Sequence, residues 1–280
     1  MIHNIKEVRH MKIIDAHIHF YKDPNGYFDK IAKTAGHENS EKYLKEYFRS
    51  HDIVKGIAVG NVGTDPKDNV YPSFLSYAVG INKMDGTEMS KKEILGQIED
   101  NLKRKSCVGI KLYPGYTHEY IFEKHYYPIY ELAAAYGKTV AVHTGITASD
   151  DALLKYCHPL VLDEVAVAFP NVKLVMCHIG YPWLADAIAV LEKNENVFAD
   201  ISGILVGNEK TIPKIEKDDC TEFLRRWLSM LGMYDKIMYG TDWPLVNIEM
   251  YIDFVKKVIP KNRWEDVFFN NANRIYGLGL

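Results

Sequence analysis

Eight short runs rich in β-branched and small apolar residues recur along this 280-residue chain, and most of the intervals between them carry amphipathic stretches. The runs are KIIDAH, VKGIAVG, SYAVGIN, CVGIKLY, TVAVHTG, VKLVMCH, NVFADIS and KIMYGTD. The stretches at 90–105, 128–136, 161–169, 183–193, 221–231 and 247–258 have helical periodicity, with Gly, Pro or Asn at the joints. Strand and helix alternating in this way predict a parallel sheet, because parallel strands need a long crossover between them. Eight units in about 250 residues suit a closed (β/α)8 TIM barrel better than an open doubly wound sheet. An open sheet would usually carry a glycine-rich phosphate loop after its first strand, and no G-x-G-x-x-G or Walker pattern occurs. No linker, low-complexity tract or repeat divides the chain, so one α/β domain over 11–280 is expected. Residues 1–10 read as an N-terminal extension that the barrel does not need and that is expected to be mobile.

Composition excludes several partners. A hydrophobic fraction of 47% is enough for a large core. The net charge is -3 and lysines are scattered among acids, which argues against nucleic acid. No segment approaches the roughly 18 uninterrupted apolar residues of a membrane span. The opening MIHNIKEVRH is too polar for a secretory signal. Cys107, Cys157, Cys177 and Cys220 form no C-x-x-C pair, and a reducing, cytoplasmic location is the expectation.

Polar residues break the apolar runs at one kind of place. His17 and His19 end strand one, Lys111 lies in strand four, and His143, His178, Asp200 and Asp242 end strands five to eight. In a (β/α)8 barrel those ends build the active site. Strand periodicity places Asp15, His17 and His19 on one face, with Ile14, Ala16 and Ile18 expected against the helices. Neutral imidazoles and a carboxylate from separate strands could then converge on one ion. Lys111, between Ile110 and Leu112, is expected to turn inward, and a buried lysine needs a strong reason. Asp200 is either a partner that orients a ligand or a simple strand-end acceptor.

The motifs D-A-H-I-H on strand one, G-I-K-L-Y-P on four, V-H-T-G on five, C-H-I-G on six and G-T-D-W-P on eight stand in order. With them the chain resembles the amidohydrolase superfamily. More narrowly, it is similar to the amidohydrolase-related branch that includes aminocarboxymuconate semialdehyde decarboxylase and aromatic acid decarboxylases. The closing NNANRIYGL matches that branch too, and the resemblance runs from about Met11 to Leu278.

A catalytic zinc site holds three or four nitrogen and oxygen donors with a position left open, which His17, His19, His143 and Asp242 would meet. The resemblance implies that His178 lies close enough to polarise a carbonyl or exchange a proton. Zn2+ is the expected ion, and Mn2+ or Fe2+ would accept the same donors. Lys111 has two readings in such relatives: a carboxylated bridge between two ions, or a cation that contacts a substrate carboxylate or Asp242. The likeness to mononuclear members favours one ion. Tyr113, Tyr116 and Tyr181 are candidate pocket residues, while His118, His125 and His158 are expected at the surface or at helix ends.

These residues point to a hydrolase of a small amide, lactone or related carbonyl compound, with a water activated by the ion. Asp242 would carry the proton and His178 would stabilise the oxyanion. Non-oxidative decarboxylation of a small aromatic or unsaturated acid is the alternative, and a non-catalytic metal- or ligand-binding barrel is a third. The expected partner is a small-molecule substrate, carboxylate-bearing substrates included, and relatives suggest a homodimer.

Overall fold

The computed structural model describes residues 11–21, 24–81 and 89–280, so the expected extension at 1–10 lies outside the described residues. Its strands are β1 (Ile13–Ile18), β2 (Ile53–Val59), β3 (Leu75–Ile81), β4 (Cys107–Leu112), β5 (Thr139–Val142), β6 (Leu174–Met176), β7 (Val197–Asp200) and β8 (Ile237–Met238). They pair in chain order, each parallel to the next. The seam between β8 and β1 is joined by the chain leaving β8: Ala16 N–H donates to Tyr239 O (3.0 Å), and Asp242 N–H donates to His17 O (2.8 Å). The sheet thereby becomes a (β/α)8 barrel in one domain.

The helices are α1 (Tyr27–Thr34), α2 (Glu41–Ser50), α3 (Lys91–Leu102), α4 (Pro114–Thr117), α5 (Tyr127–Ala135), α6 (Val161–Ala168), α7 (Leu184–Lys193), α8 (Lys214–Leu231), α9 (Ile248–Val258) and α10 (Asn271–Ile275). Local chemistry fixes several of their ends. Ser90 and Glu93 form a reciprocal capping box at the start of α3. Asn247 Oδ1 accepts from Met250 N–H at the start of α9 (3.1 Å), and Gly232, with φ 66°, closes α8. Helix α8 begins at Lys214 rather than at 221, because its polar first turns carry no apolar stripe by which to recognise them.

Two apolar layers hold the strands. The outer layer packs residues such as Ile13, Ile18, Ile110 and Val142 with the helices. The inner layer joins Ile14, Ile57, Val108, Ala141, Val175 and Met238, one from each of six strands, and therefore fills the barrel lumen. Ala272 and Ile275 of α10 join that cluster, so the closing segment plugs the barrel at its end away from the site. Each fully buried Ile or Val of this kind contributes about 1.5–3 kcal/mol.

One sequence expectation fails here for a clear reason. Asp15 pairs with Gly56 and Ile18 with Ala58, so three steps along β1 match two along β2. This irregularity shifts the phase of the strand. Ile14 and Ala16 consequently pack in the lumen cluster, not against the helices, and only Ile18 faces outward as expected. Asp15 is diverted to the seam, where its carboxylate accepts from Thr241 N–H (2.9 Å) and Thr241 Oγ1–H (2.6 Å).

Candidate active site and metal centre

Asp200, at the end of β7, organises the neighbouring imidazoles. Its Oδ2 accepts from His17 Nδ1–H (3.1 Å), while Oδ1 accepts from the His178 backbone N–H (3.0 Å) and from Ser202 Oγ–H (2.5 Å). Burial alone would raise this carboxyl, but the neighbouring His17, His178 and Ser202 hold it well below the usual range. Burial pushes His17 down to about 4, against the pull of Asp200, so its ring is neutral at pH 7. With the proton of His17 on Nδ1, the Nε2 lone pair is left free.

That lone pair faces Asp242 Oδ1 at 3.4 Å. His19 repeats the arrangement: Nδ1–H donates to Asn61 Oδ1 (2.7 Å), and Nε2 lies 3.0 Å from the same Asp242 oxygen. Two ring lone pairs and an anionic oxygen thus meet with no hydrogen between them, and His17 Nε2 and Asp242 Oδ1 are both buried without a hydrogen-bond partner. An electron-rich convergence of this kind fits a cation. The donor atoms of His17, His178 and Asp242 lie within 4.8 Å of one another, a spacing suited to one divalent ion.

His178 completes the arrangement from the loop after β6. Its Nδ1–H points to Ser202 O (3.1 Å) and Ser202 Oγ (3.0 Å), and its Nε2 stands 3.2 Å from His143 Nδ1. His143 Nε2–H reaches Ile146 O (3.2 Å), which leaves a second pair of ring lone pairs facing each other. Burial drives both rings below their ordinary pKa, His143 well below. The structure therefore gathers His17, His19, His143, His178 and Asp242 at one barrel mouth, with His178 in the compact three-donor group and His143 against it. A second close donor group, His17, Cys177 and Asp200, lies deeper.

Backbone strain accompanies these side chains. His178 (φ 58°), Ile179 (φ 45°) and Asp242 (φ 71°) adopt the left-handed region that non-glycine residues avoid. Gly203 makes the approach feasible: a Cβ there would stand 2.6 Å from Asp242 Oδ2 and 3.1 Å from His178 Nδ1.

A cavity of about 950 Å3 opens above the centre, with His19, His143, His178 and Asp242 in its lining. Tyr113, Tyr116 and Tyr181 line it. Lys111 does not: it is fully buried, its Nζ–H donates to Cys177 Sγ (2.8 Å), and it lies 5.1 Å from the Tyr113 ring centre. His118, His125 and His158 also lie outside the lining. Asn61 and the α1 aromatics Tyr27 and Phe28 line the cavity although nothing singled them out in the sequence. An asparagine after a strand and aromatics in a helix have no distinctive chemical pattern.

A family model described as Amidohydrolase matches residues 14–278. No protein of curated function matches the chain in sequence. Among solved structures, an uncharacterized TIM-barrel protein of Bordetella bronchiseptica is similar at 20% identity and TM-score 0.73, covering 95% of this chain and 99% of its own. A probable 2-pyrone-4,6-dicarboxylic acid hydrolase of Acinetobacter baumannii, with citric acid bound, is similar at 16% identity and TM-score 0.64, with coverage of 95% and 100%. A dihydroxybenzoic acid decarboxylase of Polaromonas, with bound manganese and the inhibitor 2-nitroresorcinol, is similar at 13% identity and TM-score 0.64, with coverage of 96% and 98%.

Proposed function

Because the chain belongs to the amidohydrolase family, we propose that it is a metal-dependent hydrolase of a small amide, lactone or related ester. The observation that carries this reading is the buried Asp242 Oδ1 facing the free lone pairs of His17 and His19 at the floor of a solvent-accessible cavity. His17, His19, His178 and Asp242, with His143 beside them, would hold one divalent ion, Zn2+ first among those that accept nitrogen and oxygen donors. When bound, such an ion acts as a Lewis acid toward a carbonyl and lowers the pKa of water from about 15.7 toward about 7.

The remaining work falls to side chains. Asp242 takes a proton from the attacking water through its carboxylate and later returns it to the leaving group. His178, fixed through its Nδ1–H by Ser202, would present its Nε2 lone pair to the ion at the cavity floor. Asp200 keeps His17 in the tautomer that this geometry requires and holds the backbone of His178, whose ring tautomer Ser202 sets. The aromatic walls exclude bulk water and hold the substrate body over these groups.

The same centre could serve non-oxidative decarboxylation, the reaction for which the Polaromonas neighbour is named. Oxygen isotopes separate the two. In 18O-water, hydrolysis places the label in the product acid, the result expected here. Stoichiometric CO2 release without label would replace the hydrolase reading with the decarboxylase one.

A further inference from the structure

His143 and His178 come from neighbouring strand ends, and one buried side chain ties those ends together. Pairing between β5 and β6 stops at Val142 and Met176. Beyond it, Thr144 Oγ1–H donates to Cys177 O (2.5 Å). Thr144 directly follows His143 in the chain, and Cys177 directly precedes His178. The bond therefore carries the link between the strands up to the level where the two rings meet, with His143 Nδ1 and His178 Nε2 3.2 Å apart. Nearer the rim, Ile146 N–H donates to Tyr181 O (3.1 Å) and joins the same two loops by backbone.

Thr144 and Cys177 are both fully buried. A buried hydroxyl is unfavourable unless it is hydrogen-bonded, and valine would fill the same space without one. The turn after β6 shows what the hydroxyl does. His178 (φ 58°) and Ile179 (φ 45°) are left-handed, and such residues persist only where their surroundings over-determine the backbone. The carbonyl of Cys177 and the N–H of His178 belong to one peptide unit. Thr144 holds its oxygen, and Asp200 Oδ1 accepts from its N–H (3.0 Å). From below, Lys111 Nζ–H donates to Cys177 Sγ (2.8 Å). Side chains from β4, from the end of β5 and from β7 thus fix the plane from which the strained turn starts.

We propose that Thr144 is a positioning residue for the metal centre: by holding the Cys177–His178 peptide it sets where His178 Nε2 stands beside His143 Nδ1. Thr144 lies outside the cavity lining, so its influence passes through His178. The inference rests on the metal centre of the proposed function and not on the reaction performed there.

Zn2+ affinity of the full chain, measured by competition with a chelator, tests this without turnover, and circular dichroism checks the fold. Thr144→Val keeps the shape, removes the donor and is expected to weaken Zn2+ binding about tenfold, the lower end of what groups outside the ligands cost. Thr144→Ala lacks the donor in a smaller side chain and is expected to lose as much, so the result does not depend on how valine packs. Thr144→Ser keeps the hydroxyl and is expected to stay within about threefold of the unaltered chain. On a His178→Ala background, itself weakened, Thr144→Val is expected to change affinity by less than about twofold, because the path through His178 is gone. Near-normal binding by the valine and alanine variants, a serine variant as weak as they are, or an undiminished valine effect without His178 would overturn the proposal. So would an unweakened His178→Ala variant, which would take His178 out of the donors. Failure of the unaltered chain to bind Zn2+ would remove the metal centre and this proposal with it, whereas Zn2+ binding indifferent to Thr144 would remove the proposal alone.

Discussion

Nε2 of His17 and Oδ1 of Asp242 stand 3.4 Å apart at the barrel mouth, both buried, and neither has a hydrogen-bond partner. Two electron-rich atoms held together away from water repel each other strongly at low dielectric. Their placement is favourable only with a cation between or beside them, and this pair therefore marks where the ion would sit.

Asp242 is assigned two duties, donor to the ion and carrier of a proton. Asparagine keeps its shape and offers a carbonyl oxygen, but cannot accept and return a proton in the working pH range. Asp242→Asn is expected to retain part of the metal and to lose roughly 100- to 10,000-fold in turnover per bound ion. Elemental analysis and rates from one sample check it. Near-normal turnover per ion would leave Asp242 a structural residue.

Asp200 touches no cavity space yet sets the tautomer of His17 and anchors the loop that bears His178. Asp200→Asn replaces one acceptor oxygen with a donor and sets it against His17 Nδ1–H. Metal affinity, measured by competition with a chelator, is expected to fall by about 10- to 100-fold while circular dichroism stays native. Unchanged affinity would show that His17 is oriented by something else.

Acid should destabilise the chelated protein. Burial lowers His17 from 6.5 to about 4, and lowers His143 and His178 in the same direction. Their unfolded forms therefore bind protons that the folded forms refuse, so this stability is present above about pH 6.5 and drains away as the pH falls toward 4. Asp15 acts in the opposite sense: burial raises it from 3.8 to about 7, so its contribution is full at low pH and fades as the pH rises through 7. Three lowered histidines outweigh one raised carboxyl. Urea denaturation between pH 7 and 4 is expected to show a steady loss, and a stability that holds or increases as the pH is lowered would contradict the neutral state of these rings.

The eight strands were legible because short β-branched runs recur between amphipathic helical stretches along the whole chain. Even β8, only Ile237–Met238 by hydrogen bonding, was visible from the polar residues that follow it. The side-chain directions in β1 were not legible, since a strand irregularity between Asp15 and Ile18 leaves no mark in the residue types. Helices α1 and α2 escaped notice, and so did the first turns of α8, which bring Glu216 and Cys220 to the cavity. Histidines and carboxylates announce chemistry at strand ends, whereas Asn61, Ser202 and Gly203 gain their roles only from what the fold sets beside them.

The central claim is a single divalent ion on this cluster, beside an unmodified Lys111 whose Nζ–H is given to Cys177. Anomalous diffraction at the metal edge, from crystals of the metal-loaded protein, tests it directly. One peak is expected at the barrel mouth, in contact with His17 Nε2 and Asp242 Oδ1, together with plain ammonium density for Lys111. Two ions about 3.5 to 4 Å apart bridged by a carboxylated Lys111, or no anomalous peak at His17 and Asp242, would contradict it.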